Sequence, residues 1–352
     1  MTTLRRNGRK MKNRILAFAA LLLLSLLHAC EKPQQKLETE FIDLFDTVSQ
    51  VVGYAADYKE FSTFTKQLHE ALLEYHKLYD IYNSYEDVNN LKTINDNAGK
   101  SPVKVDKRIV ELIIFSKKMH SQTNGLVNIA LGPVLKIWHD FRTLAAENPN
   151  EAAIPEIELL KQANEYTNIE DVLVDEAAST VFLRYEGMSL DVGAIAKGYA
   201  LERVCEAFEQ AGYKSILINL GGNVRAMGAG QNDKPFRVGI KNPLGGKFLN
   251  IIAVRDCSLV SSGGYERYYM FNGRRYHHII DPNTLCPSDY FEAVSVLCRD
   301  SALADALSTA IFIMDYESGL ALINSLEGVE ALWVMHSGEV KYSDGFKAFI
   351  VS

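Results

Sequence analysis

The chain has 352 residues, 47% hydrophobic and 23% charged, with a formal net charge of −7. That is the make-up of an ordinary globular protein, with apolar material for one large core or two smaller ones. An acidic balance excludes nucleic acid as an expected partner.

The first residues differ from the rest. Arg5, Arg6, Arg9, Lys10, Lys12 and Arg14 form a basic run without an acid, and Ile15 to Leu27 is apolar but for Ser25. That apolar run is too short to span a bilayer comfortably and fits the core of a signal peptide. Leu27-His28-Ala29-Cys30 follows and resembles a bacterial lipobox, which implies cleavage before Cys30 and lipidation of its thiol. Residues 1–29 are thus expected to be a lipoprotein signal peptide, and residues 30–40 a lipidated cysteine with a polar tether. The expected location is the bacterial cell envelope, lipid-anchored to the membrane and facing the periplasm or exterior. Removing residues 1–29 takes away six positive charges and no negative one, so the mature chain carries −13. Cys205, Cys257, Cys286 and Cys298 remain. Export would permit disulfides. No pair forms C-x-x-C and no zinc site is read, so most of these cysteines are expected at buried apolar positions.

Phe41 to Tyr58 is apolar and partly β-branched and reads as strands near the domain's edge. Phe64 to Tyr82 reads as one helix, with Phe64, Leu68, Ala71, Leu72, Tyr75, Leu78 and Tyr79 on its apolar face. Asp80 to Glu86 is dense in tyrosines, which suit a planar ligand or serve as amphipathic cover. Gly99-Lys100-Ser101 looks like the end of a phosphate loop, but Ile94 stands where the first glycine belongs, so none is read. Val105 to His120 is expected as a helix, and Thr123 to Asn128 as a turn. Val134 to Phe141 follows as a helix behind Pro133, Ala145 to Pro155 as a polar loop, and Ile157 to Tyr166 as a short helix.

Ser179 to Tyr185 reads as a strand. Ser189 to Ala200 then turns into a helix whose buried face carries Leu201, Val204 and Phe208. Asp191 sits at the turn, Gly193 and Gly198 allow close backbone approach, and Lys197 falls in the first helical turn. Free N–H groups and the positive dipole end suit a phosphate. A lysine there opposes the dipole, so its charge reads as serving a ligand. The plain alternative is a capped helix with a surface lysine.

Gly212 stops that helix. Ser215 to Leu220 is expected as a strand buried on both faces. It ends in Gly221-Gly222-Asn223, where backbone N–H groups can approach a ligand. The pattern is not G-x-G-x-x-G, so no Rossmann site is read. Ser261 to Gly264 reads as another small-residue turn. Arg267 to Phe271 and Arg274 to Ile280 flank Asn272-Gly273, a hairpin signal. On its second strand His277 and His278 point to opposite faces, one to the core or a cleft and one to solvent. Ser301 can cap a helix from Ala302 to Met314, on which Asp305 and Thr309 share a face. Stacked this way, they offer two hard oxygen ligands of the kind Mg²⁺ prefers, or simply bond to each other. Tyr316 to Leu326 continues helical, and Glu330 to His336 with Glu339 to Tyr342 closes as a hairpin through Ser337-Gly338. There is no internal repeat.

Several of these pieces match one family in order. They are Asp191-Val-Gly-Ala-Ile-Ala-Lys-Gly-Tyr-Ala200, Asn219-Leu-Gly-Gly-Asn223, Ser262-Gly-Gly-Tyr-Glu-Arg-Tyr-Tyr269, Tyr276-His-His-Ile-Ile-Asp-Pro282 and Asp305-Ala-Leu-Ser-Thr309. With Tyr79-Asp-Ile-Tyr82 and Thr123-Asn-Gly125 added, the sequence resembles the bacterial flavin transferase family ApbE over nearly the whole mature chain. The resemblance implies a mixed α/β (α+β) fold over residues 41–352, with sheets flanked by helices. An FAD cleft would lie between the Asp191 turn and the Asp305 helix.

The implied activity is FAD:protein FMN transfer. FMN passes from FAD to a Thr or Ser hydroxyl of an exported protein as a phosphoester, and AMP leaves. Acceptors in such systems are subunits of sodium-pumping or Rnf-type redox complexes. By position, Mg²⁺ would be held by the Ala194 carbonyl, Asp305 and Thr309. FAD would be touched by Tyr82, Leu126, Val127, Asn128, Asp191, Lys197, His278 and Ile279. Phe45-Asp46-Thr47 stands where the family often has Met-Gly-Thr. Phosphoryl transfer needs charge neutralisation more than covalent help, and the acceptor hydroxyl needs a base, for which Asp191 and His278 both stand. The same residues would serve an Mg²⁺-dependent FAD pyrophosphatase yielding FMN and AMP. A non-catalytic flavin-binding lipoprotein would need no metal at the pyrophosphate.

Overall fold

A computed structural model describes residues 34–351. The leader and Cys30 lie outside the described residues. The frame is an eight-stranded sheet of β1 (Gln35–Leu44), β2 (Thr47–Ala55), β3 (Ile216–Leu220), β4 (Asn223–Met227), β5 (Ser258–Gly263), β6 (Ala293–Cys298), β7 (Glu330–Val334) and β8 (Val340–Tyr342). Each strand pairs antiparallel with the next, so the sheet is a meander interrupted by long insertions.

The polar stretch expected as a tether is strand from Gln35 onward, paired with β2 from Gln35↔Ala55 to Phe41↔Ser49. Its side chains read as polar because β1 is an edge strand and largely exposed, which is how edges resist further pairing. Phe45 and Asp46 form the two-residue turn to β2, both at positive φ, as such hairpins require.

Five of the eight described helices begin where a carboxylate or amide caps them. α1 (Tyr58–Tyr79) starts earlier than the apolar face suggests, because Asp57 accepts the Glu60 N–H at 3.0 Å. It stops before Tyr82, which lies in the following turn. α2 (Leu91–Asp96), capped by Asn90, has no counterpart in the sequence reading. α3 (Lys107–Gln122) is capped by Asp106. α4 (Gly132–Glu147) runs past Phe141 and takes in the start of the expected loop. α5 (Ile157–Asn164) and α6 (Ala196–Gln210) follow. α7 (Ser301–Ile313) is capped by Asp300, not Ser301. α8 is Tyr316–Asn324.

One sheet face carries α1 and α6. Phe61, Phe64, Leu68 and Leu72 meet Leu201, Val204, Ile216, Ile218 and Leu220 there. The other face packs on the hairpin Phe236–Lys241 with Phe248–Val254, through Val224, Ala226, Leu259 and Leu297. α7 is buried nearly all round, as a helix apolar on every side should be. β3 alternates buried and half-buried residues, so the expectation of equal burial on both faces holds only in part.

Ser261 and Ser262, expected in a turn, belong to β5. Their size and hydroxyls suit close pairs with Ser295 (2.7 Å) and Ser308 (2.8 Å). The expected hairpin forms as Tyr268–Phe271 with Arg274–His277. Its second strand ends at His277, and Ile280–Asp281 pairs separately with Cys286–Pro287. All four described cysteines are free thiols. Cys205 and Cys298 are buried, whereas Cys257 and Cys286 are only partly so.

Candidate active site

The Asp191 turn is held from three directions. The Leu190 N–H donates to Asn95 Oδ1 (2.7 Å), and Asn95 Nδ2 donates back to the Leu190 carbonyl (3.0 Å). The Asp191 N–H donates to the Ile129 carbonyl at 2.8 Å. The Asp191 carboxylate in turn accepts the Gly193 N–H at 2.8 Å, a local turn that short acidic side chains favour. Burial pushes the Asp191 carboxyl above its usual range, while Gly193, His139, Arg142 and Lys197 pull it back.

The N-terminus of α6 follows. The sequence reading offers its N–H groups to a phosphate; the structure gives the Gly198 N–H to a side chain instead. It donates to Asp305 Oδ2 of α7 at 2.8 Å, leaving Oδ1 for another partner. Burial raises the Asp305 carboxyl, opposed by Lys197, Gly198 and the Asn223 side chain. Asn223 is 2% exposed, and its Oδ1 has no hydrogen-bond partner among the described residues. Thr309 sits one turn along α7, half-buried.

His277 and His278 divide as the alternation requires, though not into core and solvent. His277 is buried. It donates from Nε2 to the Ser288 carbonyl (2.7 Å) and accepts the Ile279 N–H on Nδ1 (3.2 Å), so both ring nitrogens are used. His278 lies just past the strand end, in the wall of the cleft. Its Nδ1 is 3.3 Å from the Arg267 carbonyl, which can only accept, so Nδ1 carries the proton and Nε2 keeps its lone pair. Burial, helped by His277, Arg267, Arg142 and Lys197, lowers His278 to about 3, so the ring is neutral at physiological pH.

Tyr82 is set by Asp80, which accepts the N–H groups of Tyr82 (2.6 Å) and Asn83 (3.0 Å) and the Tyr85 hydroxyl (2.7 Å). Burial works against ionising Asp80, but these donors hold it below the usual carboxylate range. The turn at Leu126–Asn128 hangs on Thr123 Oγ1, which accepts the Val127 N–H at 3.1 Å. Asn128 spends its side chain on Ala130 N–H and the Thr167 carbonyl (both 2.9 Å) and its own carbonyl on the Leu131 N–H (3.2 Å).

All of these residues line one cleft of about 680 Å³: Tyr82, Leu126, Val127, Asn128, Asp191, Ala194, Lys197, His278, Ile279, Asp305 and Thr309. That volume is typical of pockets that enclose cofactor-sized ligands. The cleft lies between the Asp191 turn and α7, as the sequence reading has it. Sequence reasoning missed His139, Arg142, Trp138 and Arg267, which also line it. Arg142 bonds His139 at 2.9 Å, and Arg267 bonds the Asp46 carbonyl at 3.3 Å. Each is a single charge on a helix or hairpin, and the only local signal is Arg267's place beside the Gly263-Gly264 turn.

The sequence profile of the ApbE family matches residues 45–333. A protein of Treponema pallidum named "FAD:protein FMN transferase" is 34% identical over 299 residues, covering 79% of this chain and 81% of its own. A Klebsiella pneumoniae protein of the same name is 30% identical over 274 residues, 75% of this chain and 83% of its own. The crystal structure of the ApbE protein of Thermotoga maritima superimposes with a TM-score of 0.78 at 27% identity, over 90% of this chain and all of that one. The flavin transferase ApbE of Vibrio cholerae shares the fold with a TM-score of 0.75. With its fold, its profile and its relatives in agreement, the chain belongs to the ApbE family.

Proposed function

We infer that this protein is an FAD:protein FMN transferase: it moves FMN from FAD to a Thr or Ser hydroxyl of an exported protein and releases AMP. One observation carries the reading. Asp305, Thr309, Ala194, Lys197, Asp191 and His278, drawn from three distant stretches of sequence, converge on a single cleft.

The oxygen donors fit a divalent cation. Asp305 keeps Oδ1 free of Gly198, Asn223 Oδ1 lacks a partner beside it, and a hydroxyl and a backbone carbonyl complete a hard, low-charge set. Asp305, Thr309 and the Ala194 carbonyl would hold Mg²⁺. When bound, it neutralises charge on the pyrophosphate oxygens and on the departing AMP. Lys197, near Asp305, holds the pyrophosphate from the α6 side. Tyr82 offers its ring, half-exposed at 54%, to a planar group. The acceptor's hydroxyl proton has two takers in reach of the cleft. One is the neutral His278 at Nε2; the other is Asp191, whose basicity burial has raised.

The basic leader, apolar run and lipobox support export and anchoring of the chain through Cys30 in the cell envelope. Among the described residues, no helix is long and apolar enough to cross a membrane. The test is product analysis with FAD and Mg²⁺. AMP should appear in step with flavinylation when an acceptor domain is present and stay near background without one. AMP and free FMN released equally in both cases would mark a pyrophosphatase instead.

A further inference from the structure

Two buried carboxylates cross-link the helices that carry the oxygen donors. Asp305 of α7 accepts the Gly198 N–H in the first turn of α6, at 2.8 Å. Glu202 of α6 accepts the Ser301 N–H in the first turn of α7, at 2.7 Å. Each helix thus satisfies an N–H at the other's N-terminus, where no partner exists within the helix itself. Gly198 and Glu202 are four apart, as are Ser301 and Asp305, so the two rungs stand one turn apart on both helices. Gly198 makes the approach possible: a Cβ there would lie closer than 3.0 Å to the Ser301 carbonyl and to Asp305 Cβ.

Strand β4 steadies both rungs from one face. Asn223 and Arg225 are two residues apart and point the same way. The Asn223 side chain eases the charge on Asp305, while Arg225 grips Glu202 with Nε to Oε2 at 3.2 Å and Nη2 to Oε1 at 3.4 Å. Arg225 Nη2 also reaches Glu209 at 3.0 Å. Glu202 and Arg225 are both almost wholly buried, and neither is part of the cleft wall. They cannot touch FAD or an acceptor.

We propose that Glu202, held by Arg225, is a positioning residue for the cation site. It fixes the height of α7 against α6, and with it the place of Asp305 Oδ1 relative to the Ala194 carbonyl at the start of α6. The inference rests on the reading that Asp305, Thr309 and Ala194 hold a divalent cation.

The probe is Mn²⁺, counted by the paramagnetic resonance of the free ion, with the full chain in detergent and FAD present. Glu202→Met keeps the side-chain length but offers the Ser301 N–H no oxygen, and Arg225 keeps Glu209 as partner. Its apparent Mn²⁺ affinity should fall about 10- to 100-fold, with metal-free FAD affinity, read by flavin fluorescence, within about twofold of wild type. Ser301→Pro removes the N–H of the rung along with the hydroxyl, at a helix position where proline is tolerated, and should weaken Mn²⁺ alike. Ser301→Ala keeps the N–H and should not. A Glu202→Met protein with wild-type Mn²⁺ affinity in its folded fraction overturns the proposal. If that variant does not fold, equal affinities for Ser301→Pro and Ser301→Ala overturn it. Asp305→Asn separates the two readings. If it binds Mn²⁺ as well as wild type, the cation reading itself has failed. If it alone loses Mn²⁺, only the positioning role has.

Discussion

Gly198→Ala is the substitution whose outcome the packing of α6 on α7 predicts most sharply. In an exposed helix interior, this change stabilises by up to about 1 kcal/mol. Here the added methyl lands closer than 3.0 Å to the Ser301 carbonyl and Asp305 Cβ, and 3.1 Å from Asp305 Oδ2. None of these atoms is the loose end of a flexible side chain, so α7 has to move. Overpacking of this kind costs roughly 1–3 kcal/mol. Set against the helix gain, the net loss is about 0–2 kcal/mol, a fall in Tm of up to roughly 8 °C. A shift of about 1 Å at the Asp305 carboxylate should cut transfer by roughly 10²-fold. Gly319→Ala in α8 is the control, because its Cβ would meet its nearest neighbours, Trp333 and Ile311, at ordinary van der Waals distances of 3.4–3.6 Å and away from the cleft. The assay pairs a thermal melt with in-gel flavin fluorescence of an acceptor domain. A Gly198→Ala protein with unchanged or higher Tm and full transfer would refute the packing argument.

Further outcomes follow from the same geometry. Asp305→Asn should lose about 10³-fold or more in transfer, since it removes the one carboxylate of the donor set. Its Tm should hold or rise, because burial disfavours the Asp305 charge and the amide oxygen still accepts the Gly198 N–H; a large fall in Tm would show that Asp305 is structural. Since burial keeps His278 neutral, the profile of kcat/KM against pH should show no step near 6.5 from this group. A step there that disappears in His278→Gln would contradict that assignment. His336 is the reverse case. Partial burial opposes its charge, yet hydrogen bonds to Glu292 and the Asp289 carbonyl raise it above 6.5. Its contribution is complete below about pH 6.5 and is lost as pH rises through the raised value. His336→Gln should therefore lower the stability at pH 6 and not at pH 9, by less than about 1 kcal/mol because the ring is half exposed. An equal effect at both pH values would remove charge from the explanation.

The parts of the fold that were legible in the sequence are those whose pattern is local. The periodic faces of α1 and α3, the Asn272-Gly273 hairpin, and the Asp305/Thr309 spacing each need only a few neighbouring residues. The parts that were not legible depend on what the chain meets elsewhere. Gln35 to Glu40 looks like a tether because an edge strand shows polar side chains to solvent, and its pairing with β2 leaves Leu37 as its one hydrophobic trace. Arg142 and Arg267 look like solvated charges, and only the approach of α4 and the hairpin turns them toward one cleft. Glu202 was hidden in an ordinary helix. Arg225, alternating with Val224 and Ala226 in a short strand, carried the one hint that a charge pointed inward.

Transfer of FMN to a protein hydroxyl is read by the intact mass of an exported acceptor domain after incubation with this protein, FAD and Mg²⁺. A gain equal to one FMN phosphoester on a Thr or Ser is expected, abolished by chelation of Mg²⁺ and by Asp305→Asn. Consumption of FAD with no mass gain on any acceptor, or no consumption at all, would contradict it.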